Sequence, residues 1–209
     1  MSRHLVTASV DDLPELLEPE VELVAFDDGA PSACSAFAEA LLEPGRFEAA
    51  SFELEPGRPL ACHAAVPTVL RETPGHAAWF DRVDWIADVF ATLFDARLLG
   101  LRLAHLRRPL CPRFHVDRVP CRVITTFAGT GTEWIPEPEV DEVAFARRSD
   151  DPAREPAPLR PGGRIHELAT GAVGFLKGSA CEDARVRGVV HRSPPQDRPR
   201  LVLTLDLLG

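Results

Sequence analysis

The feature that most constrains this chain is a change of hydrophobic period near Gly100. Before it, Trp79, Val83, Ile86, Phe90 and Leu93 recur at steps of three and four, while Asp81, Asp84, Asp88 and Asp95 lie mostly off that stripe. That is one buried face of an amphipathic helix. It is expected to run from about Pro74 to Arg97, with Thr73 as N-cap and Pro74 in its first turn. After Gly100 the chain breaks into short β-type runs: LLGLRLAHL (98–106), RVITTF (122–127), GAVGFLKG (171–178), GVVH (188–191) and RLVLTLDLL (200–208). Glycine and proline punctuate them, as in a barrel or sandwich. A helical second half is thereby excluded.

The first hundred residues mix both textures. VDDLPELLEP reads as a short acidic helix, VELVAF (21–26) as a strand, SACSAFAEALLEPG as a helix closed by Pro44 and Gly45, and FEAASFEL (47–54) as an alternating strand. The expected organisation is mainly β with flanking helices. An N-terminal α/β support region, 1–97, packs on a β core, 98–209. The helix covers the outer sheet, and strands 21–26 and 47–54 extend it. The segment 147–163, RRSDDPAREPAPLRPGG, is too proline-rich for a central strand and is expected to be a mobile surface loop.

Charge narrows the function classes. A net charge of −9 argues against a nucleic-acid partner, which needs a basic footprint. Residues 1–100 carry 18 acidic against 6 basic side chains, whereas residues 101–209 carry 14 against 17. The excess arginine clusters at Arg102, Arg107, Arg108, Arg113, Arg118 and Arg122, and again at Arg185, Arg187, Arg192, Arg198 and Arg200. Such clusters read either as a solvated face or as a site that accepts anions, so the partner expected is a small-molecule or peptide substrate of anionic character. No apolar run approaches the ~20 residues of a membrane span. The opening MSRHLVTASVDDLPELLEP lacks the apolar block of a secretory signal, and five cysteines make no even disulfide framework. The expectation is a cytoplasmic protein.

The chemistry concentrates in CPRFHVDRVPC, 111–121. In an extended segment residues i and i+2 project to one side, so His115 and Asp117 can chelate one ion while Phe114 and Val116 face the other way. One more histidine completes a 2-His-1-carboxylate set, which leaves coordination positions open and suits non-haem Fe(II). His4, His63, His76, His105, His166 and His191 are the candidates, and the layout around His191 is the informative one. Cys111 and Cys121 offer a rival: Cys-x3-His-x-Asp-x3-Cys could hold Zn²⁺ through thiolates, imidazole and carboxylate. A third option is a barrel used only as a binding module.

The blocks FHVDRVPCRVITTFAGTGTEW, GAVGFLKG and VHRSPPQDRPRLVLTLDLL resemble the core of the Fe(II)/2-oxoglutarate dioxygenases, particularly the prolyl-hydroxylase-like branch. Arg122 and Thr125 match an Arg-x-x-Thr strand, GTGTEW a turn, and Gly171 a strand opening. His191 matches the distal ligand and Arg200 the arginine that opens the last strand. Over most of residues 75–208 the chain is more closely similar to the family called domain of unknown function 1826. The first resemblance implies a double-stranded β-helix barrel over 98–208, with Fe(II) on His115, Asp117 and His191. It also implies 2-oxoglutarate as cosubstrate, its distal carboxylate on Arg200, with Arg198 and Lys177 as competing anchors. The reaction implied is oxidation of an unidentified substrate with formation of succinate. The alternative is a zinc-binding or metal-handling protein on the same fold.

Overall fold

The computed structural model describes residues 2–29, 32–57, 66, 68–147, 151, 155–182 and 184–208. In chain order the strands are β1 (Arg3–Thr7), β2 (Val21–Phe26), β3 (Ala49–Leu54), β4 (Leu99–Leu106), β5 (Cys121–Ala128), β6 (Glu133–Ile135), β7 (His166–Glu167), β8 (Val173–Lys177), β9 (Val190–Arg192) and β10 (Arg200–Leu207). Seven of them form one sheet in the order β1-β2-β8-β5-β10-β4-β3, and three form a second in the order β7-β6-β9. Strands 21–26 and 47–54 extend the large sheet as expected, β2 against β8 and β3 against β4.

Strict alternation divides the large sheet into two faces. On β5 and β10, Val123, Phe127, Leu201, Leu203 and Leu205 point to one side. There they meet two helices, α1 (Ser32–Leu41) and α2 (His76–Phe94). The α2 stripe buries Trp79, Phe80, Val83, Ile86, Ala87, Phe90 and Ala91. Trp79 stacks on Phe127 and Phe90 on Phe175, with ring centroids 5.2 Å and 6.3 Å apart. On the opposite face Leu23, Ala25, Ile124, Leu176 and Val202 pack against Trp134, Leu168 and Val189 from the region of the small sheet. The functional face is therefore enclosed between two sheets.

Several expectations need correction. The helix begins after Gly75, not at Thr73 and Pro74. Gly75 has φ +86°, and a Cβ there would lie 1.8 Å from the carbonyl oxygen of Ala33, so only glycine fits and the helical path starts beyond it. The helix stops at Phe94, where Asp95 takes a left-handed conformation with φ 48°. VDDLPELLEP forms a 3-10 helix, Val10–Leu17, that accommodates Pro14 and buries Leu13 and Leu16. β1, parallel to β2, and the two- and three-residue strands β7 and β6 were not expected: segments this short carry too few alternations to show a period. The described strands make two facing sheets rather than a closed barrel, because the small sheet is too short to hydrogen-bond along the edges of the large one.

Of the expected loop at 147–163, residues 148–150 and 152–154 lie outside the described residues. The remainder is tethered: Glu155 pairs with Arg113 at 2.6 Å, Leu159 forms a β-bridge with Val140, and Arg160 donates to the Val140 carbonyl at 2.8 Å. No helix among the described residues is long and apolar enough to cross a membrane.

Trp79 is fully buried where α1, α2 and β5 meet. Trp79→Ala should cost ~3–5 kcal/mol of unfolding free energy. Arg46→Ala, which removes an exposed i,i+3 pair with Glu43, should stay within about 0.5 kcal/mol. Urea unfolding followed by circular dichroism measures both.

Candidate metal centre

His115 and His191 face each other across one antiparallel pair. His115 donates its backbone N–H to the His191 carbonyl at 3.0 Å, and His191 returns the bond at 2.9 Å. Opposed residues in such a pair present their side chains on the same side, and the two rings stand with centroids 4.5 Å apart. Asp117, two residues on, joins them. Its Oδ1 lies 3.5 Å from His115 Nε2 and its Oδ2 lies 3.3 Å from His191 Nε2. All three donor groups lie within 4.8 Å of one another. Phe114 and Val116 point the other way, into an apolar cluster with Ile135, Val140 and Val190. The expected i, i+2 alternation thus holds, although only His115 forms a β-bridge and no strand spans 115–117. The main chain of Asp117 is fixed from behind by Ser179, whose N–H donates to its carbonyl at 2.8 Å.

The hydrogen bonds decide what the imidazoles offer. His115 Nδ1 lies 2.9 Å from the Arg113 carbonyl, and His191 Nδ1 lies 3.0 Å from the Val189 carbonyl. Each Nδ1 therefore carries the proton, and each Nε2 turns its lone pair towards the carboxylate. Two nitrogen lone pairs and a carboxylate converging on one point make a donor set for a cation, and nitrogen with hard oxygen suits a divalent first-row metal. The same set attracts protons. Burial depresses the His115 pKa, but its bonds to Asp117 and to the Arg113 carbonyl outweigh that, and the net shift is upward. Burial also pushes Asp117 up, yet His115, His191 and Arg122 together hold its carboxyl far below the usual carboxylate range.

Arg122 clamps the third ligand. Its Nη1 lies 2.8 Å from Asp117 Oδ2, and its Nε and Nη2 form a fork with both oxygens of Asp206 at 2.7 Å each. Arg122 and Asp206 are register partners on β5 and β10, which fixes this geometry in the sheet. Sequence reasoning missed Asp206. The signal was present, since Arg200, Val202, Thr204 and Asp206 share one face of β10 at period two.

A cleft opens from the centre and is lined by His115, His191, Arg122, Ile124, Val202, Thr204 and, at its far end, Thr132 and Arg200. Arg200 is only 1% exposed and has no carboxylate partner among the described residues. Its Nη2 donates to Thr126 Oγ1 at 3.0 Å and Thr132 Oγ1 at 3.2 Å, and its Nε has no hydrogen-bond partner. Burial pushes its pKa down to about 10, so it remains a cation at neutral pH. Gly129 makes the room: its φ is +88°, and a Cβ there would sit 2.7 Å from Arg200 Cγ.

The other proposed site residues fall elsewhere. Lys177 shares the face of Val173 and Phe175, away from the cleft, and its Nζ donates to the Glu18 carbonyl at 2.6 Å. Arg198 precedes β10 and is exposed outside the cleft. Thr125 points to the helical side, and Thr126, one residue on, is the threonine facing Arg200. The zinc set of Cys111 and Cys121 does not form: Cys121 is fully buried in the helix-side core, burial driving its thiol pKa far up, while Cys111 stays at the cleft wall. His105 is tied to the Phe47 carbonyl, His76 packs on Phe37 and Phe80, and His4 and His166 flank Trp134. His63 lies outside the described residues.

Two facing sheets that carry a 2-His-1-carboxylate cluster at the head of a cleft define a candidate metal protein. The chain belongs to the family described as protein of unknown function DUF1826, which matches residues 7–206. No curated protein matches it. Among solved structures it is similar to the dioxygenase for auxin oxidation from rice, at 14% identity and a TM-score of 0.53, covering 100% of this chain and 83% of that one. It is also similar to a BsmA homologue from Methylobium petroleophilum, at 13% identity and a TM-score of 0.50, covering 95% and 92%. A prolyl-4-hydroxylase from Pseudomonas putida aligns at 13% identity and a TM-score of 0.47, covering 96% and 97%. At this identity the first two likenesses show a shared fold.

Metal analysis checks the centre. Asp117→Ala and His191→Ala should lose bound divalent metal, while Cys121→Ala and Lys177→Met should retain it; loss with the cysteine variant instead would revive the zinc reading. The metal-free protein should also show a signed pH dependence. His115 has a raised folded-state pKa, so its contribution to stability is complete below about 6.5 and is lost as pH rises through the higher folded value. Asp117 contributes in the opposite sense, and its share disappears only as pH falls through the far-acid range. Urea midpoints of the metal-free protein should therefore drop just above pH ~6.5, and Asp117→Asn should flatten that drop.

Proposed function

We propose that this protein is an Fe(II)- and 2-oxoglutarate-dependent oxygenase of the hydroxylase type, built on a double-stranded β-helix. The observation that carries the reading is Arg200, a buried guanidinium with no acidic partner among the described residues, at the far end of the same cleft as the triad. An unpaired buried cation is costly, and the site is completed by an anion that brings its own charge. The two acids nearest in effect are already engaged, Glu133 with Arg192 at 2.6 Å and Glu167 with the backbone N–H of Gly131 at 2.9 Å. A keto diacid supplies one carboxylate for Arg200 and a keto-acid end for the centre. The likeness in fold to the rice dioxygenase for auxin oxidation agrees with this reading.

His115, Asp117 and His191 would hold the iron. When bound, that iron supplies the dioxygen chemistry that couples decarboxylation of 2-oxoglutarate to oxidation of a C–H bond, so that substrate, 2-oxoglutarate and O₂ become hydroxylated substrate, succinate and CO₂. The protein's own residues position and insulate. The Arg113 and Val189 carbonyls keep both imidazoles in the ligating tautomer. Arg122, itself braced by Asp206, fixes the orientation of the Asp117 carboxylate. Thr126 and Thr132 aim the Arg200 fork, a charge-assisted contact of roughly 1.5–3 kcal/mol. Ile124 and Val202 give the cleft apolar walls that exclude water from its length.

Fe(II)-loaded protein titrated with 2-oxoglutarate without oxygen should bind it saturably, and in air it should form succinate slowly with no substrate added. Arg200→Leu should weaken keto-acid binding by about 10- to 100-fold, as loss of a contact of that energy requires, and leave metal content intact. If the triad holds iron but neither binding nor succinate is seen, the oxygenase reading fails and a metal-handling role takes its place.

A further inference from the structure

The cleft has a second lobe that the keto acid does not use. A contiguous groove is lined by Arg102, Ala104, Leu106, Leu110, Arg122, Val202, Thr204 and Asp206. It shares Leu106, Leu110, Arg122, Val202 and Thr204 with the triad cleft. It therefore adjoins Arg122, which touches Asp117, and extends across β10 to β4.

The two arginines of this lobe are not equivalent. Arg122 is satisfied twice, by Asp117 at 2.8 Å and by the fork with Asp206 at 2.7 Å, and both oxygens of Asp206 are consumed in doing so. Arg102 is different. It stands on the cleft face of β4, opposite Thr204 of β10 on one side and Ser51 of β3 on the other, so its cross-strand neighbours are hydroxyls. Glu53, the next residue of β3 on that face, makes no ion pair with it, and the Arg102 guanidinium has no side-chain partner among the described residues. The rest of the lining is apolar: Ala104, Leu106, Leu110 and Val202. Leu110 is a leucine left 51% exposed at the rim. Arg102 is exposed at the open side of this largely hydrocarbon-lined groove, where its guanidinium fits a ligand with one anionic group and an apolar body.

We propose that the substrate is a small apolar organic anion, with Arg102 binding its charged group and the lobe holding its hydrocarbon part against the metal centre. Arg102 is then the specificity residue of the site. This rests on the oxygenase reading for the word substrate, but the binding itself does not depend on turnover. The fork geometry of the guanidinium fits carboxylate and phosphate alike, so the anionic group is defined by its charge.

The test is direct binding to Zn(II)-loaded protein saturated with 2-oxoglutarate, which keeps the probe off Arg200 and stops catalysis. Hexanoate, hexyl phosphate and the neutral hexanamide are compared by ligand-observed NMR titration. At least one anion should bind at least tenfold more tightly than the amide, and the better of the two identifies the anionic group. Arg102→Gln should reduce that preference to within about twofold while metal content and 2-oxoglutarate affinity stay at wild-type levels, and Arg102→Lys should keep part of it. Equal binding of anions and amide, or a preference that survives Arg102→Gln, overturns the proposal. Absence of succinate formation with the Arg102-dependent preference intact would sink the oxygenase reading and leave the anion site standing.

Discussion

The site depends on one antiparallel pair. Two backbone hydrogen bonds, at 3.0 Å and 2.9 Å, hold His115 opposite His191 although 76 positions separate them in the chain. Everything else at the centre follows from that contact and from alternation. Asp117 falls on the same side because it is two residues on, and Phe114 and Val116 fall on the other side and anchor the segment in an apolar cluster. The pair also explains why so small a sheet is sufficient. β9 is only three residues long, but it aligns with β6 and with His115 at once, bringing a ligand from each side to one point.

Across the cleft, the pairing of β5 with β10 performs a complementary task. Its register sets Arg122 against Asp206 at one end. At the other end a register irregularity between Leu201 and Val202 accompanies the approach of Arg200 to Thr126 and the tight fit beside Gly129. The two arginines thus sit at opposite ends of one face. One is paired with two carboxylates and orients Asp117 of the candidate metal centre; the other has no acid beside it among the described residues. Placing cations of these two kinds on a rigid sheet gives the cleft a direction, and polar groups held by strands keep their positions better than groups on loops.

Much of this was legible in the sequence, and the reason is periodicity. The helical stripe from Trp79 to Leu93 and four of the five strand runs after Gly100 appear where expected, because each contains enough alternations to define a face; GVVH supplies only the short β9, shifted to Val190–Arg192. The triad was legible through His-x-Asp and the position of His191, and Arg200 through its place at the head of the last strand. What the sequence hid were relations between strands. Nothing local tells that Thr126 and not Thr125 faces Arg200, since that depends on which side of β5 meets the helices. Lys177 was misplaced for the same reason: one step of parity sends it to the Glu18 carbonyl instead of the cleft. Gly75 outranked Thr73 and Pro74 at the helix start because of a contact with Ala33, some forty residues upstream. The pairing of Asp206 with Arg122, and the face on which Arg102 stands, became visible only once three strands were laid side by side.

A crystal structure of the protein grown anaerobically with Mn(II) and 2-oxoglutarate tests the central claim most directly. The account places anomalous density for one manganese between His115 Nε2, Asp117 and His191 Nε2. It places the keto acid along the cleft, with its distal carboxylate forked on Arg200 and touching Thr126 or Thr132. Manganese bound elsewhere, or a keto acid whose distal carboxylate rests on Arg198, Lys177 or Arg102 instead, would contradict it.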